Sequence, residues 1–216
     1  MRLTALCLAN FALALGLLAI GLPNGLGAML RLPANAVAGA VESGGSVDPA
    51  AIPPALGALR RAARFSAAAH ADIGALLLAS SSATDVRARG EEAAQEFRRY
   101  LAGVPGDAAG WEWLARAELA AGHPPAARAA LDMSLLIGPR ELSLALRRCQ
   151  LAMVLGGPFA GTERPLLEQQ FQMAADYDVA ALARLVQQQN ALLLTRTMLI
   201  GAPAAMAKFE AQWARS

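Results

Sequence analysis

Residues 110–150 concentrate the side chains suited to gripping a ligand: Glu112, Trp113 and Arg116, with Arg147 following in "RRCQ". A tryptophan offers rigid contact area, and a guanidinium pairs with a carboxylate through two parallel N–H donors. Together they suit an extended peptide or an acidic partner. Elsewhere the reactive residue types stand apart. His70 and His123 have no Cys, Asp or Glu at ligand spacing, so no metal site is expected. Cys7 lies in an apolar run and Cys149 in a helical pattern, and both are expected to behave as small apolar side chains. "GGPFAG" at 156–161 lacks the Lys-Ser/Thr of a phosphate loop and is expected to be a plain connection. Glu91, Glu92 and Glu96, close to Arg98 and Arg99, have the spacing of a solvated helix face. No Ser-His-Asp order, HExxH or CxxC pattern occurs. The expectation is a binding protein without catalytic residues or cofactor, and no small-molecule substrate is indicated.

Helices must position these residues. The chain has 216 residues, enough for one domain and an appendage, and 56% of them are hydrophobic while only 5% are aromatic. Alanine and leucine supply much of that fraction, and both favour helix, whereas β-branched residues are sparse. An all-α fold follows. A net charge of +2 gives no electrostatic case for nucleic acid.

Residues 3–22 contain no charged side chain, and twenty residues of helix rise about 30 Å, the depth of a bilayer's hydrocarbon core. Arg2 precedes this run, so the N-terminus is expected to stay cytoplasmic and the bulk of the chain to be exported. Residues 1–30 are thus expected to be a membrane anchor with a single transmembrane helix at 3–22. A cleaved signal is the alternative, with Ala34 and Ala36 as the small residues before a cut. The apolar run is longer than the usual h-region, and the cut would lie unusually far beyond it. Residues 31–53, rich in Pro, Gly, Ala and Ser, have the composition of a flexible linker, and the helical domain is expected over 54–216.

Within that domain a ruler appears. Trp111, Leu114 and Ala115 share a helix face, and Gly122 ends the helix. Ala127, Leu131 and Leu135 mark a second helix that stops at Gly138-Pro139. Counting back 34 residues from Ala127, Leu131, Leu135 and Pro139 gives Ala93, Phe97, Leu101 and Pro105, and Ile73, Gly74 and Leu77 mark the helix before them. This pattern resembles the tetratricopeptide repeat. Glu118 departs from it where an aromatic is usual, and Ser134 where Ala is usual. The best repeats are 67–106, with a lengthened loop at 80–90, and 108–139. Their core is expected at Trp111, Leu114, Ala115, Ala127, Leu131, Phe97 and Ala93. Helices are also expected at 54–66, 141–157, 163–178 and 179–201, without the signature residues.

The resemblance implies a short α-solenoid of antiparallel helix pairs that acts as a protein–protein scaffold. Its first helices would line a concave face, placing Glu112, Trp113, Arg116 and Arg147 (or Arg148) against a partner; the alternative is that Trp113 packs under the next unit. The expected protein is a single-pass scaffold of the bacterial inner membrane, its domain in the periplasm beside a cell-envelope assembly, such as one that builds or exports polysaccharide. Two alternatives stay open: a small accessory subunit held in a membrane complex through its helix, and a released periplasmic binding module. A reporter active only in the cytoplasm, fused after Ser216, is expected to be silent, and the mature chain is expected to retain residues before Val37. An active reporter contradicts the topology, and an N-terminus at Val37 contradicts the anchor.

Overall fold

The computed structural model describes residues 2–43, 45–157, 159, 161 and 163–215. Of these, the side chains of residues 2–9, 12, 19, 20, 23, 24 and 42 lie outside the description. The described chain is all-α. A long helix α1 (Arg2–Glu42) and a 3-10 turn (Pro49–Ala51) lead into α2 (Ile52–Ala62), α3 (Ala67–Ala79), α4 (Val86–Gly103) and α5 (Ala108–Ala120). There follow α6 (Pro124–Ile137), α7 (Leu142–Leu155), α8 (Glu163–Gln189), α9 (Leu192–Leu199) and α10 (Pro203–Trp213). Local chemistry sets many of these boundaries. Prolines open α2, α6 and α10, where a missing N–H costs nothing. Asp107 caps α5 by accepting from the Ala109 N–H at 3.0 Å, and Gly122 takes a φ of +80° to turn the chain into α6.

The helices pack in pairs, α3 on α4, α5 on α6 and α7 on α8, and the first helices stack in a row, α3 on α5 and α5 on α7. Connections of a few residues make each pair antiparallel. Ala93, Phe97, Leu101, Ala127, Leu131 and Leu135 are all buried, as are Leu114 and Ala115. A Cβ on Gly74 would come within 2.6 Å of the Phe97 ring, so only glycine lets α3 approach α4 this closely. The third pair repeats the same burial. Leu131 and Leu135 are succeeded 36 residues on by Leu167 and Phe171, both fully buried.

Four features depart from what the sequence suggests. The linker at 31–53 is helical as far as Glu42, because tertiary packing outweighs its Pro and Gly content. Ala34 and Ala38 are buried, Leu30, Val37 and Val41 rest on the core, and Arg31 reaches Asp72 of α3. The loop at 80–90 shrinks to residues 80–85, where the Asp85 carboxylate gathers the Ser82 N–H (2.6 Å) and hydroxyl (2.7 Å) into a turn that starts α4. The helix expected at 179–201 breaks at Asn190, whose φ is 51°. Upstream, α8 carries a non-helical Asp178 that accepts from the Ala181 N–H at 2.8 Å and restarts the helix. Trp111, placed in the core by its pattern, is half-buried at the edge, its indole N–H donating to the Pro105 carbonyl at 2.9 Å.

Among the described residues, no helix is long and apolar enough to cross a membrane. The span at 3–22 falls in part on residues 3–9, 12, 19 and 20, whose side chains lie outside the described ones.

The packed second helices generate a stability prediction. Leu131→Ala is expected to cost about 2–5 kcal/mol in a denaturant melt, because it empties a fully buried site. Leu136→Ala, at an exposed position on the same helix, is expected to change stability by no more than about 0.5 kcal/mol.

Candidate binding groove

An open cavity of about 980 Å³ lies between the segment after α1, α2, α3 and α5. Ile52, Leu56 and Leu78 give it apolar walls, and Trp113, Arg116, Arg60 and Arg89 border it. Two of the expected groove residues, Trp113 and Arg116, thus border this cavity, one helical turn apart on α5.

Trp113 is held on several sides. The Phe97 ring lies nearly parallel to it (8°) with centroids 6.0 Å apart, and the guanidiniums of Arg147 and Arg116 lie 4.8 and 5.5 Å from its centroid. Cation–π attraction thus adds to apolar packing in fixing the ring. Glu112 organises both cations. Its carboxylate is wholly buried and accepts hydrogen bonds from Arg116 on its own helix and from Arg147 of α7. Arg116 also reaches Gln150 of α7 at 3.4 Å.

This geometry corrects the sequence reading in one respect. Glu112 cannot touch a partner, because no part of it meets solvent. It positions the two arginines instead. Arg147 stays partly accessible and stacks on Trp113, but it does not border the cavity. Its Nε is buried without a hydrogen-bond partner.

Arg148 turns the other way. Although fully buried, it donates to the Ser134 carbonyl (2.7 Å), the Gly138 carbonyl (2.8 Å), the Ser134 hydroxyl (3.1 Å) and Gln170 Oε1 (3.1 Å). It thereby satisfies carbonyls at the end of α6, where the helix dipole favours a cation, and ties α6 to α7 and α8. Burial lowers its pKa from the ordinary arginine value. The repeat period carried one step further would have revealed this role. Leu114 and Ala115 are buried, and 34 residues on stand Arg148 and Cys149. Arg147 is likewise the counterpart of Trp113, and Gln150 that of Arg116.

The two departures from the repeat pattern also become explicable. Glu118 is buried and accepts from Arg98 of α4 and, at 3.2 Å, from His123 Nδ1. Ser134 donates to the Ala108 carbonyl at 2.7 Å while receiving Arg148. Glu96, expected on a solvated face, is instead buried beneath His70 and Arg99, each at 2.5 Å. Asp72 is buried against Arg31 of α1, which donates through Nε at 2.9 Å. Burial pushes the Asp72 carboxyl above its ordinary pKa, and Arg31 pulls it only part of the way back.

Among the described residues, no three His, Cys, Asp or Glu side chains converge as a metal site would require. Cys149 is fully buried, and burial pushes its thiol far above the range of a reactive thiolate. No family model, curated protein or solved structure matches the chain.

Two stability predictions follow from the buried charges. Asp72 binds its proton more tightly in the folded state than in the unfolded chain. Its contribution is therefore fully present below the unfolded carboxyl range and is lost as pH rises through the raised value. Arg31→Ala removes the counter-charge, so its penalty is expected to be largest near about pH 7 and to shrink toward about pH 4 as Asp72 becomes neutral. An equal penalty at both pH values in detergent-solubilised full chain contradicts this. Arg148→Met is expected to cost about 2–4 kcal/mol, because it leaves buried carbonyl and amide acceptors without donors. A variant as stable as the parent contradicts the capping role.

Proposed function

We propose that this chain is a membrane-anchored scaffold, in which residues 3–22 cross the bacterial inner membrane and the periplasmic helix pairs, a stack of tetratricopeptide type, hold a protein partner. The observation that carries the binding half is the groove. Its apolar walls accept a partner's side chains. Trp113 lies pre-positioned between Phe97 and two guanidiniums, and Arg116 borders the cavity as a donor for a carboxylate. Such contacts lose little side-chain entropy on binding, because Glu112 already holds the arginines.

The anchor half rests on the absence of charge at 3–22 and on how α1 meets solvent. Phe11, Leu13, Leu15, Leu17, Leu18 and Leu22 are all more than half exposed. Side chains this apolar, spread around a helix, find a matching solvent in lipid. The continuity of α1 favours retention over release at Ala36. A cut there would remove Ala34 from the core and Arg31 from Asp72, leaving a buried carboxylate without its cation. An anchor that continues as a rigid helix into the domain also holds the groove at a set height above the membrane.

Substituting both Trp113→Ala and Arg116→Ala tests the groove. Helicity and membrane insertion are expected to persist, while partner recovered with the tagged full chain falls about tenfold or more. Undiminished recovery moves the binding role to the anchor or the outer face of the stack.

A further inference from the structure

The turn between α2 and α3 carries a surface that the groove does not use. Arg61, Arg64 and Phe65 are exposed there, Phe65 by 39%, and neither Arg61 nor Arg64 has an ion-pair partner among the described residues. The position of this turn is unusual. A Cβ on Gly27 of α1 would come within 3.0 Å of the Ser66 side chain and 3.3 Å of Phe65, so the turn sits against α1 at Gly27. Gly27 lies five residues beyond Leu22, where the apolar run ends, a helical rise of about 7.5 Å.

The pairing direction adds to this. From the end of α1 the chain doubles back as α2 toward Gly27, and α3 then runs away again alongside α1, with Asp72 beside Arg31. The α2–α3 turn is thus the end of the lead-in nearest the apolar stretch. The α4–α5 turn lies beside it, since a Cβ on Gly103 would meet Ala67 at 3.4 Å, and it exposes Val104 by 39%. Arg64 further borders a cavity of about 360 Å³ with Arg60 and Arg99, large enough for a lipid phosphate. The carboxylate in that cavity, Glu96, is already held by His70 and Arg99.

We infer that the α2–α3 turn docks on the anionic headgroup surface of the bilayer that α1 enters, with Arg61 and Arg64 meeting lipid phosphates and Phe65 seated at the interface. This rests on the reading of residues 3–22 as a membrane anchor. A height of about 7.5 Å above the hydrocarbon edge is headgroup depth, where an aromatic ring flanked by unpaired arginines is favoured on both counts. Each arginine near an anionic surface contributes on the order of a fivefold gain in association. The contact would lock the tilt of the helical domain.

Trypsin tests this on full chain reconstituted into vesicles. Arg64 lies in the turn and is open to cleavage, while Arg87, at the opposite end of α4 from Gly103, serves as the internal reference. Cleavage after Arg64 relative to Arg87 is expected to be about tenfold slower or more in phosphatidylcholine vesicles with about 30% phosphatidylglycerol than in phosphatidylcholine alone, with protection lost at about 0.5 M salt. Equal relative rates in the two vesicle types, with the chain resisting a carbonate wash, overturn the docking and leave the anchor standing. Release of the chain by carbonate overturns the anchor and the docking with it.

Discussion

A carboxylate removed from water must keep a cation beside it, and that requirement organises this molecule. Three buried carboxylates each meet an arginine of another helix: Asp72 to Arg31 joins α3 to α1, Glu118 to Arg98 joins α5 to α4, and Glu112 to Arg147 joins α5 to α7, while Glu96 meets His70 of α3 and Arg99 of its own helix. The surfaces between them are rich in alanine, and alanine faces are smooth. Sliding one helix past another by a turn would trade one alanine contact for another at small cost. It would also strand a charge in the interior, a penalty of several kcal/mol. We attribute the single register of the stack to these pairs more than to its apolar contacts.

The same device prepares the groove. Because Glu112 grips Arg116 and Arg147 together, both guanidiniums lie against Trp113 before any partner arrives. Structural pairing and the proposed partner contact thus share one set of residues. Arg148 solves the converse problem one residue further on. It is a buried cation surrounded by carbonyl, hydroxyl and amide oxygens, and it closes the end of α6.

What the sequence reveals and what it hides divide along this line. Apolar positions recur with the helical period, so Ala93, Phe97, Ala127 and Leu131 could be placed in the core, and Gly74 at a close approach, from spacing alone. The placement of Trp113 and Arg116 beside a cavity comes from the resemblance to a helical repeat, not from apolar spacing. Charged residues carry no such signal, since an isolated Glu on a helix is usually wet. Glu112 and Glu118 meet partners 35 and 20 residues away, beyond any rule about neighbouring turns. The helical extension of α1 through residues 31–42 was hidden too. Its support comes from Asp72 and the α2 surface, not from its own Pro- and Gly-containing sequence. The departures at Glu118 and Ser134 were visible as anomalies, and both proved to be polar ties.

The single register of the stack depends on the Glu112–Arg147 pair coupling α5 to α7. A double-mutant cycle with Glu112→Gln and Arg147→Met, measured by denaturant unfolding of the detergent-solubilised full chain, isolates that coupling. The predicted interaction between the two sites is about 1.5–3 kcal/mol, with the double variant losing less stability than the sum of the two single losses. Additivity to within about 0.3 kcal/mol would contradict it, and the register of the stack would then have to come from the apolar faces alone.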